Sequence, residues 1–174
     1  AHMPVRSLGY IRIGAEDMDA WRHFAGDFLG MEPVRGDNPD AAYFRLDDHP
    51  HRLVVHPAPQ NRVAAVGFQV SGPEELAAMV AAVEGTGTKV VSLDQAACRD
   101  RRVSEAVSFD DPAGNPLELF WGVALAHSEV STPHVSAFVT GDQGMGHVVL
   151  TVGDGPAAYD FYTRVLGFKG RNTM

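Results

Sequence analysis

The chain has 174 residues, enough to bury about 70% of its unfolded surface in one compact domain with part of a second. Apolar residues make up 45% and charged residues 21%, which excludes extended disorder, and 22 acidic against 14 basic residues leave no basic surface for nucleic acid. No apolar run reaches the roughly 18 residues of a membrane span, and no signal peptide is read in these residues. The single cysteine, Cys98, forms no internal disulfide, is read as a small packing residue, and fits a reducing, cytoplasmic compartment. Ala1 to Met3 reads as a remnant ahead of a native start at Met3, so His2 is set aside.

Residues 9–31, GYIRIGAEDMDAWRHFAGDFLGM, predict a strand, an acidic turn and a helix with Trp21, Phe24 and Phe28 at helical spacing. The helix closes at Leu29-Gly30, where glycine takes the left-handed conformation of a helix end. AAYFRLDD (41–48) and HRLVVHPA (51–58) predict an antiparallel hairpin around DDHP. A second unit begins with the strand VAAVGFQV (63–70) and the helix in SGPEELAAMVAAVEGTG (71–87). Ser71 or Gly72 can cap it, Pro73 suits its first turn, and Gly85 or Gly87 closes it. CRDRR (98–102) reads as a charged loop, and two strands, AVSFDD (106–111) and PLELFWG (116–122), flank the turn DPAGN. Residues 123–143 have no clear period and read as a linker.

The third unit, GHVVLTVGDGPAAYDFYTRVLGF (146–168), aligns with residues 9–31 without a gap at an offset of 137, with six identities: Gly9/Gly146, Asp17/Asp154, Ala20/Ala157, Phe24/Phe161, Leu29/Leu166 and Gly30/Gly167. It too reads as strand, turn and helix, with Ala158, Phe161 and Val165 as the helical stripe, and the sequence stops 27 residues after His147. Among the other histidines, His49, His51 and His56 cluster at the hairpin. Pro50 and Asp47–Asp48 make that hairpin a solvated turn rather than a metal site. His23 reads as a surface residue, and His127 and His134 belong to the linker.

The repeated units, the segment FDDPAGNPLELFWG and the segment VTGDQGMGHVVLTV together resemble the vicinal oxygen chelate superfamily, above all its two-domain type I extradiol ring-cleaving dioxygenases, the 2,3-dihydroxybiphenyl dioxygenase group. The resemblance implies an α+β fold of paired βαβββ modules curled into a half-open barrel, with the third module incomplete. It makes residues 4–122 an N-terminal domain without metal, 123–143 the linker, and 144–174 the first strand and helix of a C-terminal catalytic domain. It implies Fe(II), with Mn(II) the weaker choice, held by two histidines and one glutamate in the C-terminal domain. His147 would be the first of these, and the other ligands and the acid-base residues would lie after Met174. Such a triad leaves open positions for a catecholic substrate and O2. Val149, two residues along the same strand face, would line the substrate pocket. The family commonly forms homo-oligomers.

If His147 is a ligand, the offset puts Tyr10 at its place in the first module, and matching the closing valines of the strands puts Ala65 there in the second. Neither serves Fe(II), and Glu118 alone cannot hold a metal that needs about three ligands. Glu118 therefore reads as a strand residue facing solvent or paired with a base, with a polar role inside the barrel as the alternative. Two other readings stay open: a metal-free ligand-binding module of the antibiotic-resistance type, and a glyoxalase-like isomerase or lyase.

Overall fold

The computed structural model describes residues 4–170, so His2 and the last four residues of the third unit lie outside the described residues. The first module runs β1 (Val5–Ala15), α1 (Met18–Arg22), β2 (Glu32–Val34), β3 (Ala42–Arg45) and β4 (Leu53–Pro57). The second runs β5 (Arg62–Val70), α2 (Pro73–Glu84), β6 (Val91–Ser92), α3 (Gln95–Arg101), β7 (Glu105–Asp110) and β8 (Pro116–Trp121). All eight strands form one open sheet in the order β2-β3-β4-β1-β5-β8-β7-β6. The first strands of the two modules, β1 and β5, pair antiparallel at its centre, and each pairs parallel with the last strand of its own module, β4 or β8. The mixed α+β fold of paired modules is thus present as a sheet that does not close on itself.

Side chains alternate across this sheet, and each face has its own cover. Val66, Phe68, Leu117 and Leu119 pack with Leu76, Met79 and Val83 of α2. Ile11, Ile13, Phe44, Leu53 and Val55 meet Ala25 and Met31 near α1. On the face opposite α2, Tyr10, Ala106 and Phe120 pack against Cys98 of α3, so Cys98 is a buried core residue. Helix α3 and strand β6 are both additions to the sequence reading: CRDRR is not a charged loop but the end of a helix that plugs the sheet. Asp94 caps it by accepting from the Ala97 amide at 2.8 Å.

The internal repeat is realised in detail in its helical part. Asp17 accepts from the Ala20 amide and Asp154 from the Ala157 amide, each at 2.9 Å, and these cap α1 and α4 (Gly155–Asp160). Both helices then widen into a π-helical turn, His23–Phe28 and Phe161–Val165, closed by Leu29 N–H to Phe24 O (2.9 Å) and Leu166 N–H to Phe161 O (3.1 Å). Gly30 and Gly167 follow at the same φ of 73°. The apolar stripes differ in use. Phe161 is buried against the α2 side of the core, whereas Phe24 and Phe28 stack on one another in solvent.

The strand half of the repeat is not realised. Residues 146–152, read as a buried strand, carry no ladder, and Gly144 makes only an isolated parallel bridge to Leu8. The reason is pairing: β1 is flanked by β4 and β5, while among the described residues no strand lies beside 146–152. Between Trp121 and Gly141 there is neither helix nor strand, and the segment is tied down by buried Arg45, which bonds Ser128 and the Ala126 carbonyl (3.1 Å). No helix among the described residues is long and apolar enough to cross a membrane.

The shared glycine closure gives a direct check. Gly30→Ala forces a Cβ into left-handed backbone, and that Cβ would also fall 2.8 Å from the His134 ring. The expected loss is about 1–2 kcal/mol, read as a lower urea midpoint at unchanged m-value.

Candidate functional site

Three residues singled out by the repeat stand on adjacent central strands. Tyr10 on β1 pairs in register with Gly67 on β5, and Gly67 with Glu118 on β8. Ala65, two residues from Gly67, is on the same face opposite Arg12. Gly67 has no side chain, so the Tyr10 ring lies across it, and a Cβ there would fall inside that ring. The Tyr10 hydroxyl thereby reaches Glu118 Oε2 and donates to it at 2.5 Å. Glu118 is 4% exposed, so it does not face solvent; its base is Arg101 of α3, which donates from Nε and Nη2 to both carboxylate oxygens at 2.6 Å. Such a bidentate pair is the strongest form a buried ion pair takes. Burial, then the Glu118 charge, push the Tyr10 phenol well above its ordinary value. Burial alone would lower Arg101, but the hydrogen bond and charge of Glu118 override it and keep the guanidinium protonated.

A second ion pair extends the cluster. Arg12 donates to Asp100 Oδ2 at 2.6 Å, and the Tyr43 hydroxyl donates to the other oxygen of Asp100. Burial would raise the Asp100 carboxyl, but Tyr43 and then Arg12 hold it below its usual range. His51 is buried, not in a solvated turn: its Nε2 bonds the Asp100 carbonyl at 2.9 Å, and burial lowers its pKa to about 4. His49 is lowered to about 4 as well, by burial and then Arg52, while His56 is lowered by burial and then Arg12. The three histidines do not converge. Among the described residues no three His, Cys, Asp or Glu side chains are placed to hold a metal ion. His23 is on the surface beside Asp27.

His147 is exposed and lines an apolar cavity of about 740 Å³ together with Leu8, Phe68, Tyr162 and Phe168. Val149 is 94% exposed and does not line it. The segment carrying both is pinned at its two ends by the first domain. Met145 N–H donates to the Leu8 carbonyl at 3.2 Å. At the other end Asn115 Nδ2 donates to the Thr151 carbonyl at 3.0 Å, while Asp111 Oδ2 accepts from the same Asn115 amide (2.9 Å) and from the Tyr162 hydroxyl (2.8 Å). The turn DPAGN therefore does more than join two strands: its Asp and Asn grip the third unit. Iron needs about three convergent ligands, and these residues supply one imidazole. The described chain does not complete such a centre, and no catalytic step is derived through it.

Residues 8–58 match the family model of the dihydroxybiphenyl dioxygenase BphC D1 domain, and residues 144–172 that of the glyoxalase/bleomycin resistance protein/dioxygenase superfamily. An iron-dependent extradiol dioxygenase of Rhodococcus jostii (strain RHA1) is 44% identical over 99% of this chain and 57% of its own length. A biphenyl-2,3-diol 1,2-dioxygenase of Sphingomonas paucimobilis is 37% identical over 95% of this chain and 56% of its own. The crystal structure of BphC, a halotolerant catechol dioxygenase, superposes with a TM-score of 0.92 at 31% identity, covering 97% of this chain and 57% of that one. The chain thus spans little more than half the length of the curated relatives it matches.

Two outcomes follow from the geometry. The folded His51 pKa of about 4 lies below the unfolded 6.5, so the unfolded state binds the extra proton between these values. Stability from this group is full above pH 6.5 and falls toward pH 4, by up to about 1.4 kcal/mol per pH unit; subtracting the profile of His51→Gln isolates it. For the third unit, Asn115→Ala removes the tie to Thr151. Limited proteolysis within residues 147–152 should quicken by roughly 5- to 10-fold, the equivalent of about 1 kcal/mol, with cleavage within β1 and β5 unchanged.

Proposed function

The chain belongs to the vicinal oxygen chelate superfamily, and from that premise we propose that it is the N-terminal part of an Fe(II)-dependent extradiol dioxygenase that opens a catechol- or 2,3-dihydroxybiphenyl-type ring with O2. The observation that carries this reading is the contrast between repeats: a full pair of modules with Tyr10, then a third unit with His147 at the same position, gripped by the first domain. In this reading His147 supplies one imidazole to the iron. When bound, the iron offers coordination positions that bring catechol and O2 together.

The chain's own contribution is placement. Leu8, Asn115 and Asp111 fix the ends and the supporting helix of the segment that bears His147. Once partner strands flank that segment, Val149 shares the face of His147 and forms an apolar wall for the aromatic substrate. The first domain acts as scaffold. The acidic balance argues against nucleic acid and the lone buried Cys98 suits the cytoplasm; a homo-oligomer fits the family habit.

The test uses the complete protein, loaded with Fe(II) without air, then given a 3-substituted catechol and O2. A yellow ring-fission product is expected, and His147→Ala should lower iron content and turnover by on the order of 100-fold or more. Iron-loaded protein that yields no colour from any catechol would contradict the reading. Residues 1–174 alone should give neither product nor stoichiometric iron.

A further inference from the structure

We propose that Arg52, a buried residue between β3 and β4, is the positioning residue that sets how the third unit presents His147, an inference that rests on the proposed role of His147 at the iron. Arg52 is 2% exposed. Its Nε and Nη2 donate to Asp47 at 3.0 and 2.6 Å, and its Nη1 donates to the Gly9 carbonyl at 2.8 Å and to the Leu8 carbonyl at 3.4 Å. Those two carbonyls belong to a bulge. Between Leu8 and Tyr10 strand β1 advances two residues while β5 advances one, from Phe68 to Gly67, so Gly9 is the extra residue.

Both ends of the Arg52 fork meet the chain that leads into the third unit. On one side the Asp47 carboxylate is also hydrogen-bonded by the Thr140 side chain, directly before the single turn Gly141–Gln143. On the other, the Leu8 carbonyl accepts from Met145 N–H at 3.2 Å, and Gly144 bridges to Leu8 with φ at 63°. A Cβ at Gly144 would collide with that carbonyl, so the position takes glycine. One guanidinium therefore stands behind both anchors, Thr140 and Met145, and His147 follows two residues later. Side chains alternate along an extended segment, so a slip of one residue at Met145 would turn His147 away and present Val148 in its place. A buried ion pair adds little net stability over apolar residues of equal volume, and its best-attested use is to fix register.

The test uses the complete protein in three variants. Thr140→Val cuts the tie to Asp47 and leaves the buried pair intact, Thr140→Ser keeps the hydroxyl, and Arg52→Lys keeps the charge but loses the planar fork. In metal-free protein, thermolysin cleavage within residues 141–147 should quicken by roughly 5- to 10-fold in Thr140→Val and Arg52→Lys and return to the parent rate in Thr140→Ser. The same two variants should bind Fe(II) about 10-fold more weakly, and their Co(II)-substituted forms should show an altered visible d–d spectrum, with Thr140→Ser again matching the parent. A merely structural Arg52 would lower Tm in Arg52→Lys and leave cleavage, affinity and spectrum unmoved in Thr140→Val, and that result overturns the proposal. Quickened cleavage with unchanged affinity and spectrum overturns it too, since His147 would then be placed without these anchors. Should Arg52→Lys fail to fold, the two Thr140 variants decide. An unaltered protein that binds no iron contradicts the proposed function instead, and the cleavage rates of metal-free protein still support or overturn the placement of the segment by Arg52.

Discussion

A buried carboxylate and the half-buried guanidinium that pairs with it beneath the central strands set the terms for the rest of the molecule. Removing two charges from water costs several kcal/mol each, and only excellent geometry with every remaining polar atom satisfied repays it. Arg101 and Glu118 meet that condition with two 2.6 Å hydrogen bonds and a third from Tyr10. Their neighbours follow from that requirement. Position 67 must be glycine so that the Tyr10 ring can cross β5, and α3 must dock on the sheet so that Arg101 can reach β8. Asp100, the residue before Arg101, is drawn to the same face, where Arg12 and Tyr43 pair with it. The two ion pairs, Arg12 with Asp100 and Arg101 with Glu118, thus lie on one face of the sheet.

The same cluster divides labour along the chain. The first two modules put their polar interior to structural use, with Tyr10 and Arg101 both bonded to Glu118. The third unit repeats the helix, cap and glycine closure of the first but carries His147 in place of Tyr10 and Val149 in place of Arg12. Both exchanges point the same way: a fixed proton donor and a fixed cation give place to a lone-pair donor and an apolar surface. The grip of Asp111 and Asn115 on Tyr162 and Thr151 joins the two regions, so the scaffold reaches to within four residues of His147.

Much of this was legible in the residues themselves. The paired Asp17/Asp154 caps and Gly30/Gly167 closures are local chemistry, and local chemistry survives reading from sequence. The hairpin of β3 and β4 and the course of α2 were legible for the same reason. What was missed depends on partners distant in sequence. Helix α3 has a start signal in Asp94 and good helix formers after it, yet the charges of CRDRR masked it, because a charged run is usually solvated and here two of its members are paired across the sheet. His51 looked solvated beside Pro50 and two aspartates, and only the arrival of α3 buries it. The run after His147 has the composition of a strand, but a strand exists through its neighbours, and among the described residues it has none.

The central claim is that metal belongs to the third unit and a protein cation to the first domain. The most direct measurement is an anomalous difference map at the iron edge from crystals of the complete, iron-loaded protein. The account predicts one peak per chain, within bonding distance of His147 Nε2 or Nδ1, and featureless density beside Glu118. A peak between Tyr10 and Glu118, or an iron that leaves His147 uncoordinated, would contradict it.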